Sequence, residues 1–289
     1  MGLGDEILVS GLIELQKSKG LKCVVVENNK GTLNPIKWNN DMHQIFKNNP
    51  FIENPTNIDN NKEYNYINDH SGCRGYINYE KSILHRKKKV RFLKLNSTYK
   101  ANKGKIYFDS FEKKIIENYK HKYGCYILLN TAIKKSLTSN KELPIKKWSQ
   151  LNNMLLKRGL KTAIMINNDF SDEDSAITEL KGVIKINTKT IRKMLCAIAA
   201  SKMVVTTEGG VHHAAAALDK KCLVIYGGRI DPSILGYESQ INIIDDRPIF
   251  NGDSNIRFPC GMFSDCIHCK TIMNNVPTEL MYEQIIKNL

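Results

Sequence analysis

The chain has 289 residues, 42% of them hydrophobic and 25% charged, with 43 Lys and Arg against 29 Asp and Glu for a formal charge of +14. This is the composition of a folded globular protein and excludes a disordered chain. The longest apolar runs, "KMVVTT" and "CLVIYGG", have the length of strands and exclude a membrane-spanning helix of ~20 residues.

The start lacks a basic stretch followed by an apolar one, so no secretory signal is read there and a cytoplasmic location is expected. Eight cysteines in a chain of this size do not make a secreted disulfide scaffold. The positive charge invites an anionic partner, either nucleic acid or the anionic face of a membrane. The one dense cluster, "HRKKKVR" at residues 85–91, reads either as a solvated face or as such a contact. Arg is sparse beside Lys and no aromatics interleave the cluster, which argues against sequence-specific nucleic-acid binding.

In chain order, "MGLGDEILVSGLIELQKSKG" opens on Gly2, Gly4 and Asp5 and continues as an amphipathic helix carrying Ile7, Leu8, Leu12 and Leu15 and ending at Gly20. "LKCVVVEN" is then a strand. A turn, helix, strand order is the middle of a βαβ unit without its first strand, because the chain was either cut short or built without it. The next hundred residues are polar; "MHQIFKNNPFI" reads as a short helix and turn, and "FEKKIIENYKHKYG" as a helix.

From Tyr123 the pattern sharpens. "CYILLN", "KTAIMIN", "MVVTT" and "CLVIYGG" are strands, alternating with the helices "WSQLNNMLLKRG", "IRKMLCAIAASK" and "GVHHAAAALDKK". "PTELMYEQIIKNL", with Pro277 at its start and Glu279 in its first turn, is a terminal helix. Such alternation predicts a parallel, doubly wound α/β sheet. Two α/β domains, 1–121 and 122–289, are expected to face each other across a ligand cleft at their strand ends.

The strongest chemical signal is "VVTTEGGVHHAAAALDKK". A buried strand ends in Thr206, Thr207 and Glu208, Gly209 and Gly210 make a tight turn, and a helix begins at once. Free N–H groups and the positive helix end then lie at the strand's carboxyl edge, where a diphosphate could bind. His212 and His213 stand at the helix start, and at least one is expected to face the cleft. After the next strand come Gly227, Gly228 and Arg229, with Arg229 either meeting a phosphate or exposed, and Tyr237 either covering a base or packing in the core.

"TEGGVHHAAAAL…VIYGG" followed by "PCGMFSDCIHC" resembles the family 9 glycosyltransferases, the lipopolysaccharide heptosyltransferase family. The resemblance implies a two-domain GT-B fold and transfer of a sugar from a nucleotide donor, typically ADP-heptose, to a glycan, glycolipid or protein acceptor. It implies inversion and no cofactor for catalysis. The family's acid-x-Gly-x-x-His motif falls on Glu208, Gly210 and His213; the family usually has Asp where this chain has Glu208, and His212 is an additional histidine.

"NKELPIKKWSQL" resembles the family's Lys-x-Trp-Pro-x-x-x-Trp segment, with Lys141, Pro144 and Trp148 in register and Leu143 in place of a tryptophan. The resemblance makes Lys141 a donor-phosphate ligand and Asp5 the general base, against the plainer reading of Asp5 as a helix cap. It is good over residues 140–289 and 2–20, and weak between.

"PCGMFSDCIHC" contributes Cys260, Cys266 and Cys269, either a metal knuckle for Zn or Fe or a group of reduced structural thiols. A fourth ligand would come from His268 or from a distant residue such as Cys222. Similar relatives that glycosylate autotransporter proteins carry cysteine-bound iron, whereas the lipopolysaccharide enzymes do not. A non-catalytic nucleotide-sugar binder and a basic nucleic-acid binder are the competing readings.

Overall fold

The computed structural model describes residues 2–17, 20–29, 32–35, 43–68, 74–84, 91–132, 139–166, 180–244, 260–262 and 266–289. The basic cluster at 85–91 lies outside the residues whose side chains are described.

The N-terminal half begins with α1 (Leu3–Gln16), followed by β1 (Cys23–Asn29), β2 (Thr32–Pro35) and β3 (Asn65–Asn68). These strands form a small mixed sheet ordered β2-β1-β3, antiparallel on one side and parallel on the other. A separate antiparallel hairpin joins β4 (Ile77–Leu84) to β5 (Arg91–Leu95). Residues 43–51 are turns, not the short helix expected there. His43 and Asn48 have φ of 58° and 65°, a left-handed backbone that no helix accommodates.

Helix α2 (Ser110–Tyr123) leads into the larger half. There β6 (Tyr126–Asn130), β7 (Lys161–Ile166), β8 (Ile184–Asn187), β9 (Met203–Thr207), β10 (Lys221–Tyr226) and β11 (Ile241–Ile244) form a fully parallel sheet ordered β11-β10-β9-β6-β7-β8. The helices of eight residues or more are α3 (Ile145–Lys157), α4 (Ile191–Ala200), α5 (Gly210–Ala217), α6 (Ile267–Asn275) and α7 (Thr278–Asn288), with a single helical turn at Pro232–Leu235. The mixed α/β architecture with a doubly wound parallel sheet is the one the alternating pattern predicted.

Parallel strands buried on both faces read as continuous apolar runs, and their residues divide by alternation. Ile127, Leu129, Val205, Leu223 and Ile225 pack with Trp148 and Leu151 of α3 and Met281 and Ile285 of α7. Leu128, Val204 and Val224 face a second cluster, which holds Ala214, Ala215 and Ala217 of α5 and also Ile7, Leu8 and Ile13 of α1. The alanines let α1 lie close on α5, so this core runs on from one half into the other.

Helix α2 is joined to α4 by a buried ion pair. Arg192 donates through Nε to Glu112 Oε1 at 2.7 Å and through Nη2 to Oε2 at 2.6 Å, and its remaining N–H groups reach the carbonyls of Gln44 and Tyr107. Glu112 also closes the capping box of α2 with Asp109.

Strand order reverses between β6 and β9: the chain runs outward through β7 and β8, then returns to β9 beside β6 and continues to β10. The carboxyl ends of β6 and β9 therefore flank the crevice where open α/β sheets bind ligands. Asn130, at the end of β6, spans it by donating to Thr206 Oγ1 at 3.0 Å.

Candidate active site

Two loops leave the crevice. After β6 the chain reaches a single 3₁₀ turn at Ser139–Lys141, and after β9 it passes Glu208 and Gly209 into α5. Lys141 and Glu208, 67 residues apart in sequence, form a buried ion pair, with 9% and 6% of each residue exposed. Burial lowers the Lys141 pKa to about 8, although Glu208 beside it favours the ammonium. Burial alone would raise Glu208, but the cations around it, Lys141 first, hold the carboxylate below its ordinary value.

The glycine turn works through close approach. Gly209 is extended, at φ 160°, with open space where a Cβ would be. A Cβ on Gly210, in contrast, would lie 2.9 Å from Leu3 Cβ and 3.2 Å from the Gly4 nitrogen. The N-terminal ends of α1 and α5 thus abut, and two positive helix ends converge.

Asp5 sits in the first turn of α1, at the junction. Its Oδ2 accepts from the Gly2 N–H at 3.3 Å, so it caps the helix as the plainer reading expected. The same oxygen accepts from Arg74 Nη2 at 2.9 Å and Nε at 3.2 Å, and Oδ1 from the Tyr76 hydroxyl at 3.3 Å. Arg74 and Tyr76 are site residues that the sequence reading did not single out. Arg229 is buried, and its charge acts on Lys141, Glu208 and Tyr76 alike. Glu6 points away, its Oε1 lying 3.3 Å from His43 Nδ1.

The two histidines are buried, with ring centroids 3.9 Å apart. His212 Nδ1 accepts from the Gly209 N–H at 2.9 Å, leaving Nε2 as the donor to the Leu235 carbonyl at 3.0 Å. Both nitrogens are spent on backbone, so His212 fixes the start of α5 rather than facing a cleft. His213 Nδ1 pairs with the Tyr237 hydroxyl at 2.7 Å, and its ring edge lies where a Cβ on Gly4 would be. Burial first, then His212 and Lys141, hold His213 neutral, well below its ordinary pKa. Tyr237 is accordingly a packed core residue.

Thr207 is buried at the end of β9. Gly228 makes room for α6: a Cβ there would lie 2.8 Å from Ile272 Cδ1 and 2.9 Å from His268 Nδ1. Cys260, Cys266, His268 and Cys269 form one cluster with their ligand atoms within 4.8 Å of one another. Cys222, considered as a fourth ligand, lies instead within β10, its thiol against the Leu223 carbonyl and its pKa raised by burial. Three thiols and an imidazole suit Zn or Fe by softness and number.

The site has three cations, Lys141, Arg229 and Arg74, around two carboxylates, Asp5 and Glu208, at two converging helix ends. The cluster stands at the carboxyl edge of the parallel sheet in a doubly wound α/β protein, where open sheets of this kind bind ligands.

The family model of glycosyltransferase family 9 (heptosyltransferase) matches residues 74–247, and the chain belongs to this family. The match reaches back through much of the stretch in which the motifs were weak. Among solved structures, the glycosyl transferase family 9 protein of Veillonella parvula is 15% identical with a TM-score of 0.58, covering 84% of this chain and 82% of that one. The E. coli heptosyltransferase WaaC, solved with ADP-2-deoxy-2-fluoro heptose, is 16% identical with a TM-score of 0.46, covering 62% of this chain and 48% of its own. The E. coli ADP-heptose lps heptosyltransferase II is 15% identical with a TM-score of 0.47, covering 63% of this chain and 52% of its own. The match thus spans about half the length of each E. coli protein. No curated protein sequence matches. Among the described residues no helix is long and apolar enough to cross a membrane.

Proposed function

We propose that the chain is an inverting, metal-independent glycosyltransferase that moves a heptose or hexose from a nucleotide-diphosphate donor, ADP-heptose-like, to a glycan or lipopolysaccharide-type acceptor. Residues 122–289 form the donor side and residues 1–121 the acceptor side, working in the cytoplasm at the anionic inner face of the membrane. Family membership supports the reaction class. The observation that carries the site assignment is the meeting of Lys141, Glu208, Arg229 and Asp5 at the abutting ends of α1 and α5.

The donor diphosphate lies on the free N–H groups of α5, with Lys141 and Arg229 neutralising the charge that grows on the departing nucleotide. Glu208 keeps Lys141 charged and in place until the diphosphate takes over that contact. Asp5, freed from Arg74, accepts the proton of the acceptor hydroxyl as its oxygen bonds to the anomeric carbon. The bond from that carbon to the diphosphate breaks on the opposite face, and its electron pair leaves with the nucleotide.

A second reading has one observation in its favour. Asp5 is engaged by three partners, the Gly2 N–H of the helix cap, Arg74 and the Tyr76 hydroxyl, as it would be in a nucleotide-sugar binder that has lost turnover. Asp5→Asn separates the two. In a transferase it abolishes product formation, followed by mass spectrometry of the acceptor, and leaves donor binding intact. Product formation by Asp5→Asn equal to that of the parent would exclude Asp5 as the base.

A further inference from the structure

The cysteine cluster is built into the candidate donor site. Cys260 Sγ lies 3.1 Å from Cys269 Sγ and 3.7 Å from Cys266 Sγ. Thiolates on a tetrahedral zinc, with bonds of about 2.3 Å, stand about 3.8 Å apart, so this spacing closes onto one ion with small adjustments. His268 supplies an independent indication: its Nδ1 is buried without a hydrogen-bond partner among the described residues, and one of its ring nitrogens lies within 4.8 Å of the three thiols. A buried imidazole nitrogen is normally satisfied by a hydrogen bond or an ion.

The surrounding backbone is pinned from three sides. Asn140, fully buried, accepts from the Cys266 N–H at 2.9 Å and donates to the Met262 carbonyl at 3.0 Å. It is the residue immediately before Lys141. The Cys260 and Gly261 N–H groups donate to the carbonyls of Gly228 and Arg229, at 2.8 Å and 3.2 Å. Gly261, at φ 63°, in turn accepts from the Leu93 N–H of β5 at 3.0 Å.

We infer that Cys260, Cys266, His268 and Cys269 hold one tetrahedral Zn²⁺-type ion, and that this ion fixes the turn carrying Lys141 through Asn140 and the loop carrying Arg229 through Cys260 and Gly261. The ion does no chemistry: four protein ligands close its coordination. Asn140 is the positioning residue, acting on Lys141 through the main chain. Only the consequence for donor binding rests on the proposed function; the metal site does not.

The test uses the full chain, purified without chelator, its metal content measured by plasma mass spectrometry, then stripped and titrated with Co²⁺. One equivalent of metal per chain and a thiolate-to-cobalt charge-transfer band are expected. His268→Ala should weaken Co²⁺ binding by at least the roughly 10- to 100-fold that loss of even an outer partner costs. Hydrogen exchange, read without any nucleotide, should show residues 139–144 and 226–230 losing protection on stripping and regaining it on reloading. Asn140→Ala should keep the metal and lose that response at 139–144.

A parent chain with neither metal nor the cobalt band would overturn the site, as would a Cys260–Cys269 disulfide in its place. Unchanged Co²⁺ affinity in His268→Ala would remove the fourth ligand. Identical exchange in loaded and stripped protein would overturn the coupling. Failure to bind any nucleotide would defeat the proposed function and leave these readouts standing.

Discussion

Gly4 and Gly210 meet where α1 and α5 abut: a Cβ on Gly4 would lie 2.9 Å from His213 Cδ2 and 3.5 Å from Gly210 Cα. The glycine at the front of the chain is there because another helix comes to within backbone distance. This contact carries Asp5 to the α5 end of the crevice.

Alanine substitutions should therefore separate two adjacent glycines. Gly210→Ala puts a methyl against Leu3 and the Gly4 backbone, and should cost about 1–3 kcal/mol by overpacking. Gly209→Ala meets nothing within 4 Å in an extended backbone and should be tolerated. Urea midpoints of the two variants check this; equal midpoints would mean that the helices are not in contact.

Arg192→Ala strands Glu112 in the interface between α2 and α4 and should cost about 3–5 kcal/mol. In the parent, burial would raise Glu112, but Arg192 prevails and its pKa is lowered. A carboxylate lowered on folding adds stability that is complete above its unfolded value of about 4.3 and is lost as pH falls through the folded value. Melting temperature followed downward from neutral pH should fall in that window in the parent. In Arg192→Ala the buried Glu112 is raised instead, and the same acidification should be stabilising.

Lys141 gives a pH dependence of the same sign at higher pH. Its folded pKa of about 8 lies below the unfolded value of about 10.4, so its contribution to stability rises as pH increases between the two. The ammonium is the form that binds phosphate. Nucleotide affinity should hold below about pH 8 and fall above it, with Lys141→Arg flattening the fall. Titration calorimetry across this range reads both; a pH-independent affinity in the parent would take Lys141 out of the site.

Arg74→Ala frees one oxygen of Asp5 from its cation. If Arg74 holds the base idle until acceptor binds, the variant should bind donor as the parent does and hydrolyse it faster in the absence of acceptor. Release of free nucleotide measures this, and a rate no higher than the parent's would assign Arg74 a structural role.

The larger half was legible because "MVVTT" and "CLVIYGG" are strands buried on both faces, which no surface segment imitates. β3, β8 and β11 escaped notice: "NYIN", "IKIN" and "INII" are four residues each, with polar side chains interrupting them. α6 was hidden under the cysteine spacing, which drew the eye to metal before helix. Glu208 and Lys141 were found through their motifs, but their ion pair depends on the reversal of strand order between β6 and β9. Arg74 stands 69 residues from Asp5 with no motif of its own. At least one of His212 and His213 was expected to face the cleft, but adjacent positions on a helix point in different directions, and His212 spends both nitrogens on backbone.

A thermal-shift panel of ADP-, GDP-, UDP-, CMP- and dTDP-sugars tests the proposed donor site centred on Lys141. The panel would be run on the parent and on Lys141→Ala, with Lys141→Ala/Glu208→Gln to remove the stranded carboxylate. One nucleotide class is expected to raise the parent's melting temperature by several degrees at ~100 times its dissociation constant, and neither variant's. No shift with any nucleotide sugar, or equal shifts in parent and variants, would contradict that site.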